Sequence, residues 1–294
     1  MDTLNSQYGI SGALQFAYSG GNFPVAKIQT PWASARVALQ GAQVLAWQPS
    51  AAAPVLWVSK AAVFEAGKPV RGGVPVCWPW FGAKDGASAH GFVRTRHWTV
   101  RETRLADDQS VLLCLGLSDD ASTRTLWNHA FDLELQVSVG RTLTLQLITR
   151  NTGTEPFDIT EALHTYFAVG DIGQTTVQGL DGTTYLDKVA NLAQAQQSGP
   201  VSFSGETDRV YLNTTADCVI QDRANKRSIH VAKTGSGATV VWNPWSEREK
   251  AFADMAAGEY QQMLCVETAN AGAAPITIAA GATHTLTACV SLES

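Results

Sequence analysis

A few short stretches of the sequence hold side chains able to do chemistry. Arg71-Gly72-Gly73-Val74-Pro75-Val76-Cys77-Trp78-Pro79-Trp80-Phe81-Gly82 sets one guanidinium beside two prolines, three glycines and three aromatic rings. The prolines and glycines exclude regular helix and interrupt any sheet ladder. Aromatic faces on a rigid loop suit the C–H faces of a sugar ring, and an adjacent arginine suits a phosphate or carboxylate bidentately. The same rings would serve equally as a buried plug at one end of a β-sandwich.

Ala89-His90-Gly91-Phe92-Val93-Arg94-Thr95-Arg96-His97-Trp98 follows. Gly91 directly after His90 implies a tight turn or a close backbone approach. Arg94 and Arg96 are two apart and would share a face if this stretch is a strand. With Arg71 they could converge on an anion; the plainer alternative is a solvated strand face.

Glu161-Ala162-Leu163-His164-Thr165-Tyr166-Phe167 alternates so that Phe157, Ile159, Leu163 and Phe167 face one way. Asp158, Thr160, His164 and Tyr166 face the other, as in a lined cleft. Histidine is the side chain best suited to move protons near neutral pH, although a single strand histidine is commonly structural. In Gln262-Met263-Leu264-Cys265-Val266-Glu267-Thr268-Ala269-Asn270, Glu267 shares a face with Met263 and Cys265. A carboxylate in that company is either at a solvated strand end or desolvated into a usable base. Val241-Trp242-Asn243-Pro244-Trp245 and Asp208-Arg209-Val210-Tyr211 complete the set.

The elements that must position these residues read as short strands. Phe131–Val139 alternates apolar and polar throughout, and 142–147 alternates again after Gly140-Arg141. A two-residue Gly-X link predicts a hairpin with a type II′ turn. Similar runs cover 98–104, 111–117, 157–167, 218–221, 239–242, 263–268 and 284–292. Short helices are expected at 122–129 and at 246–255, where Ser246 and Glu249 have capping-box spacing. Residues 190–200 (ANLAQAQQSGP) predict a long surface loop. Many strands and few helices imply an antiparallel sandwich or barrel-like fold. No linker divides the 294 residues, so residues 1–294 are expected to form a single domain.

Composition limits the function. Hydrophobic residues make up 45% and charged residues 16%, the profile of a folded domain. A net charge of −5 argues against nucleic acid or a membrane surface as partner, leaving room for a local basic pocket. No run is long enough for a membrane span, and the N-terminus has no basic leader region. Five widely spaced cysteines without CxxC point to reduced thiols and a cytoplasmic location. No phosphate-cradling loop, dinucleotide fingerprint, HExxH or GxSxG is present. No His or Cys pair has metal-ligand spacing on a common element, so no metal and no cofactor are expected.

Taken in order, RGGVPVCWPWFG, HGFVRTRHW, ALHTYF, DRVY, VVWNPW and MLCVETAN resemble the aldose 1-epimerase (mutarotase) superfamily, in particular its glucose-6-phosphate 1-epimerase branch. The motifs span residues 71–270. The resemblance implies an all-β fold, a large antiparallel β-supersandwich of the galactose-mutarotase type with a few short helices. It implies His164 and Glu267 as the acid–base pair. Around the sugar and its phosphate it implies Arg71, His90, Arg94 and Asp208, with Arg96 as a further candidate.

The implied substrate is a small molecule, a hexose 6-phosphate, handled without cofactor by a monomer. A cyclic hemiacetal opens when a base removes the O1 proton while an acid protonates the ring oxygen. Glu267 is the expected base and the His164 imidazolium the expected acid, on opposite sides of the C1–O5 unit. The open aldehyde rotates about C1–C2 and closes on its other face. A free-aldose mutarotase and a non-catalytic sugar-phosphate-binding module on the same scaffold are the alternatives.

Overall fold

The computed structural model describes residues 1–272 and 275–293. Two large sheets carry the architecture. The first has nine strands, in the order Val201–Ser202, Thr175–Gln178, Cys218–Asp222, Arg227–Thr234, Thr283–Glu293, Leu143–Asn151, Phe131–Val139, Val111–Ser118 and Thr99–Leu105. The second runs Ala193–Gln196, Thr184–Asp187, Thr207–Tyr211, Ala238–Asn243, Met263–Asn270, Glu161–Leu163 and Val76–Cys77; Tyr166–Ala168 also pairs with Met263–Asn270. A four-stranded meander from Leu14–Ser19 to Val44–Pro49 precedes both, and Phe157–Ile159 pairs with Ile276–Ile278. The strand pairings are antiparallel. This is the expected supersandwich, with short helices at Asp2–Tyr8, Ala121–Leu126 and Trp245–Glu249.

Strand alternation explains the core. Leu133, Leu135, Val137, Leu145, Leu147, Leu286 and Val290 point inward from the nine-stranded sheet. Leu163, Phe167, Val241, Leu264 and Val266 meet them from the other. Burying side chains of this size contributes roughly 1.5–3 kcal/mol each. Every second residue of the eight-stranded sheet therefore faces away from that core. This second face carries small side chains, among them Cys77, Ala162, Val210, Val240 and Ala269. Small residues keep it low enough to leave room for longer functional side chains.

Several local expectations change. Three residues, not two, turn the hairpin, because Val139 pairs with Leu143. Gly140 does not take the positive φ of a type II′ turn, and the Arg141 guanidinium lies 3.4 Å over the Trp32 ring, anchoring the wider loop. Residues 157–167 are not one strand. The chain changes partner at Thr160, whose hydroxyl accepts from the Phe81 N–H at 2.8 Å, and breaks again at His164. The predicted apolar face survives both breaks, since Phe157, Ile159, Leu163 and Phe167 all enter the core. The helix expected over 246–255 is confined to Trp245–Glu249, and the Ser246–Glu249 box does not form. The Glu249 carboxylate instead accepts from the Gly258 and Tyr260 N–H groups. A capping box does open the Ala121–Leu126 helix, from Asp120 and Thr123. The loop expected over 190–200 contains an exposed edge strand, Ala193–Gln196.

One buried cluster joins the two large sheets. Glu161 Oε1 lies 2.8 Å from His284 Nε2 and accepts from Asn270 Nδ2 at 3.0 Å. The hydrogen bond to Glu161 raises the His284 pKa above its ordinary value, against the opposing effect of burial.

Candidate active site

Sheet register assembles the site. Asp208 pairs with Trp242, Trp242 with Cys265, and Cys265 with Tyr166. Directly opposed residues share a face, so these four side chains form a row across four strands. The Lys188 N–H donates to the Asp208 carbonyl at 2.8 Å and extends the row by one. Glu267, two residues beyond Cys265, stands on the same face. His164 occupies the break between Glu161–Leu163 and Tyr166–Ala168, where its N–H donates to the Pro75 carbonyl at 3.0 Å.

The result is a contact that sequence spacing could not reveal. His164 Nε2 is 3.3 Å from Glu267 Oε1. The side chains are 11% and 1% exposed. Two further atoms of the pair, His164 Nδ1 and Glu267 Oε2, are buried without a hydrogen-bond partner. The His164 ring is stacked on Tyr166, with centroids 4.8 Å apart and planes 11° from parallel, and Tyr166 stacks in turn on Trp57. The sequence expectation put acid and base on opposite sides of the reacting carbon. The structure instead puts the two side chains in contact.

Burial dominates the electrostatics. It pushes the Glu267 pKa well above the carboxylate range, with Asp208 adding to the effect and Lys188 opposing it. It pushes His164 well below its ordinary value, and His90, Arg94 and Arg71 act in the same direction. Both groups are driven toward neutrality. Neutral imidazole with a carboxylic acid, and imidazolium with a carboxylate, hold the same number of protons. The pair therefore keeps one proton to place on either partner.

The other candidates ring this pair unevenly. His90 is half-buried with φ +62°, its ring centroid 5.5 Å from that of His164. Burial first, then Arg94, Lys188 and Arg71, push its pKa down to about 3. The Gly82 N–H donates to His90 Nδ1 at 3.3 Å, leaving Nε2 to carry the proton of the neutral ring. Gly91, at φ +73°, passes so close to Trp78 that an added Cβ would sit 1.7 Å from its carbonyl oxygen. The close approach expected there is present.

Arg71 donates to Tyr166 Oη at 3.3 Å, pairs with Asp254 at 3.0 Å and lies over the Phe252 ring. Burial works against its charge, but Tyr166 and Asp254 outweigh that and hold its pKa above the ordinary value. Arg94 donates only to the Ala89 carbonyl, at 2.8 Å, and has no carboxylate at ion-pair distance among the described residues. Asp208 pairs with Lys188 at 2.8 Å.

The shared face expected for Arg94 and Arg96 is not present. Val93–Thr95 is a 3₁₀ turn and not a strand, so Arg94 and Arg96 do not share a face. Arg96 donates to Ser122 Oγ at 2.8 Å, beside the Asp120 cap, away from the charges acting on His164. The aromatic loop divides too. Trp78 is fully buried against Phe92, Trp127 and Phe131, as a core plug. Phe81 faces the site, 4.9 Å from the His90 ring.

Lys188, Tyr166, Trp242 and Cys265 belong to the site without having been singled out for roles. Lys188 was hidden because it follows a strand of ordinary composition, Thr184–Asp187; only its register with Asp208 places it. A cavity of about 880 Å³ lined by Ile10, Lys27, Arg36 and their neighbours lies on the N-terminal meander and contains none of these residues.

A strand-built fold with a buried imidazole–carboxylate pair among cations and aromatic rings defines a carbohydrate-handling enzyme of the mutarotase type. The chain belongs to the aldose 1-epimerase family, whose model matches residues 24–290. It is 40% identical over 247 residues to an Escherichia coli protein named "Putative glucose-6-phosphate 1-epimerase", covering 83% of this chain and 82% of that one. The solved structure of a Salmonella typhimurium protein described as a "putative mutarotase" superposes with a TM-score of 0.91 at 34% identity, over 98% of this chain and 96% of that one. A galactose mutarotase-like protein from Clostridium acetobutylicum, 12% identical, superposes with a TM-score of 0.74 over 96% of this chain and 98% of that one, which shows the shared fold. No helix among the described residues is long and apolar enough to cross a membrane.

Proposed function

We propose that this chain is a hexose-6-phosphate mutarotase that interconverts the α and β anomers of D-glucose 6-phosphate. It is an isomerase acting on a small sugar. The observation that carries the reading is the 3.3 Å contact between His164 and Glu267 amid Arg71, Arg94 and Lys188.

The two oxygens that exchange protons in ring opening hang on one carbon. Two groups in contact can therefore meet both oxygens from one side. Glu267 as carboxylate takes the O1 proton, and His164 as imidazolium gives a proton to the ring oxygen. Afterwards Glu267 is the neutral acid and His164 the neutral base, the form that burial favours. The aldehyde turns about C1–C2 and the same protons return on closure. The proton inventory of the pair is unchanged over a cycle, so nothing external is consumed. Low solvent exposure keeps both protons in place during the step.

Arg94, without a carboxylate partner among the described residues, is the first phosphate ligand, and Arg71 supports it while tied to Asp254. His90 offers its Nε2–H, and Asp208 with Lys188 offers an acceptor and a donor to sugar hydroxyls. Arg96 has no part. In this reading the working unit is one monomer of one domain. Five free thiols, four of them buried, support a reducing cytoplasmic setting. Exchange NMR on glucose 6-phosphate and glucose in parallel tests the assignment. Faster anomer exchange of the phosphate ester is expected. Equal acceleration of free glucose would favour an aldose mutarotase, and binding without exchange would favour a non-catalytic module.

A further inference from the structure

The same face presents a third ligating atom. Cys265 Sγ, a nitrogen of His164 and a carboxylate oxygen of Glu267 all lie within 4.8 Å of one another, and all three residues are buried. We propose that this trio binds one thiophilic divalent cation, of the zinc or cadmium type, and that the bound cation inhibits the enzyme.

Tetrahedral zinc with Zn–N of about 2.0–2.1 Å and Zn–O of about 2.0–2.2 Å sets its nitrogen and oxygen ligands roughly 3.3 Å apart. His164 Nε2 and Glu267 Oε1 already stand at 3.3 Å. Cys265 needs only a rotamer-scale move of ~1 Å to close the third edge at a Zn–S bond of about 2.3 Å. The backbone favours this, because Cys265 and Glu267 are alternate residues of one strand, Met263–Asn270.

Glu267 Oε2 and His164 Nδ1 are buried without a hydrogen-bond partner among the described residues, so no hydrogen bond at those atoms holds either side chain away from an ion at Nε2 and Oε1. The ligand charges also match: one thiolate and one carboxylate neutralise a divalent ion, and soft sulfur selects zinc or cadmium over magnesium or calcium. Binding replaces two protons by the metal, the thiol proton and the one proton that the His164–Glu267 pair shares, both leaving to solvent, with no change of oxidation state. Three protein ligands leave a fourth position for water or another ligand.

A cation so placed occupies the lone pairs that carry protons in the proposed reaction. It acts as an inhibitor that competes with the sugar. The inhibition half of the inference rests on the proposed function; the binding half does not.

The test is a cadmium titration of the full-length protein, followed by the ultraviolet cadmium–thiolate charge-transfer band and, separately, by anomer exchange. Zinc serves as the spectroscopically silent competitor. One saturating equivalent is expected, displaced by zinc, lost in Cys265→Ser and Cys265→Ala, and kept in Cys289→Ser, the variant of the half-buried thiol. Half-inhibition should require at least about tenfold more cadmium in the Cys265 variants, as expected for loss of one strong ligand. A band that survives in both folded Cys265 variants, or the lack of any saturable band, overturns the site. If the band behaves as expected but the protein exchanges no anomers, the metal site stands and the functional assignment falls.

Discussion

The imidazole of His164 lies parallel to the phenol of Tyr166, with ring centroids 4.8 Å apart, and the same phenol oxygen accepts from Arg71 at 3.3 Å. The proposed acid and the proposed phosphate pocket thus lean on one side chain. Stacked aromatic pairs contribute about 0.5–1.5 kcal/mol beyond area burial. Tyr166→Phe keeps the stack and loses the hydrogen bond. It should raise KM for glucose 6-phosphate and leave kcat within about twofold. Tyr166→Ala removes the platform and should lower kcat by roughly two- to tenfold. Steady-state kinetics on the two variants separate these effects, and a kcat loss in Tyr166→Phe would contradict the division.

Arg94 and Arg96 sit two residues apart in sequence and should behave oppositely. A charge-assisted hydrogen bond contributes about 1.5–3 kcal/mol, or roughly tenfold to a hundredfold in KM. Arg94→Ala should cost that much for the phosphorylated sugar and little for the free one. Arg96→Ala, which removes only the bond to Ser122, should change neither by more than about twofold. Arg71 is a poorer probe, since its loss would also strand Asp254. Parallel KM measurements on both sugars decide, and equal effects of Arg94→Ala on both would remove it from the phosphate pocket.

Much of this arrangement was legible in the residues, and the exceptions have physical causes. Strands such as Phe131–Val139 declared themselves because one face is buried and the other is not. The alternation around His164 correctly named the core residues Phe157, Ile159, Leu163 and Phe167 even though the strand was broken twice. What could not be read was register between distant strands. Lys188 has no motif of its own, and its place follows from pairing beside Asp208. The three potential metal ligands likewise come from two segments, which a search for spacing on one element does not see. The shared face of Arg94 and Arg96 failed because a 3₁₀ turn, not a strand, spans Val93–Thr95.

Gly91 gives a sharp stability prediction. Its φ of +73° and the 1.7 Å approach of an added Cβ to the Trp78 carbonyl leave no room for alanine. Backbone clashes of this kind belong with the losses above about 4 kcal/mol. Gly91→Ala should therefore lower the denaturation midpoint drastically or prevent accumulation of folded protein. A midpoint near wild type would show that the loop can move aside.

The Glu161–His284 cluster should make stability depend on pH. The hydrogen bond to Glu161 raises the folded-state pKa of His284 above 6.5. Its contribution is therefore complete below the unfolded pKa and is lost as pH rises through the folded value. Urea midpoints of wild type should fall, relative to His284→Gln, as pH is taken from below 6.5 upward. Parallel curves for the two proteins would deny the cluster this role.

The most direct test of the central claim is the rate of α–β exchange of glucose 6-phosphate, measured by NMR for wild type, Glu267→Gln, His164→Asn and the double variant. Proton-transfer groups typically supply about 10²–10⁴-fold each. Each single variant should lose acceleration on that scale, and the double variant should lose little more, because the pair works as a unit. Full exchange rate in either folded single variant would contradict the assignment of His164 and Glu267 as acid and base.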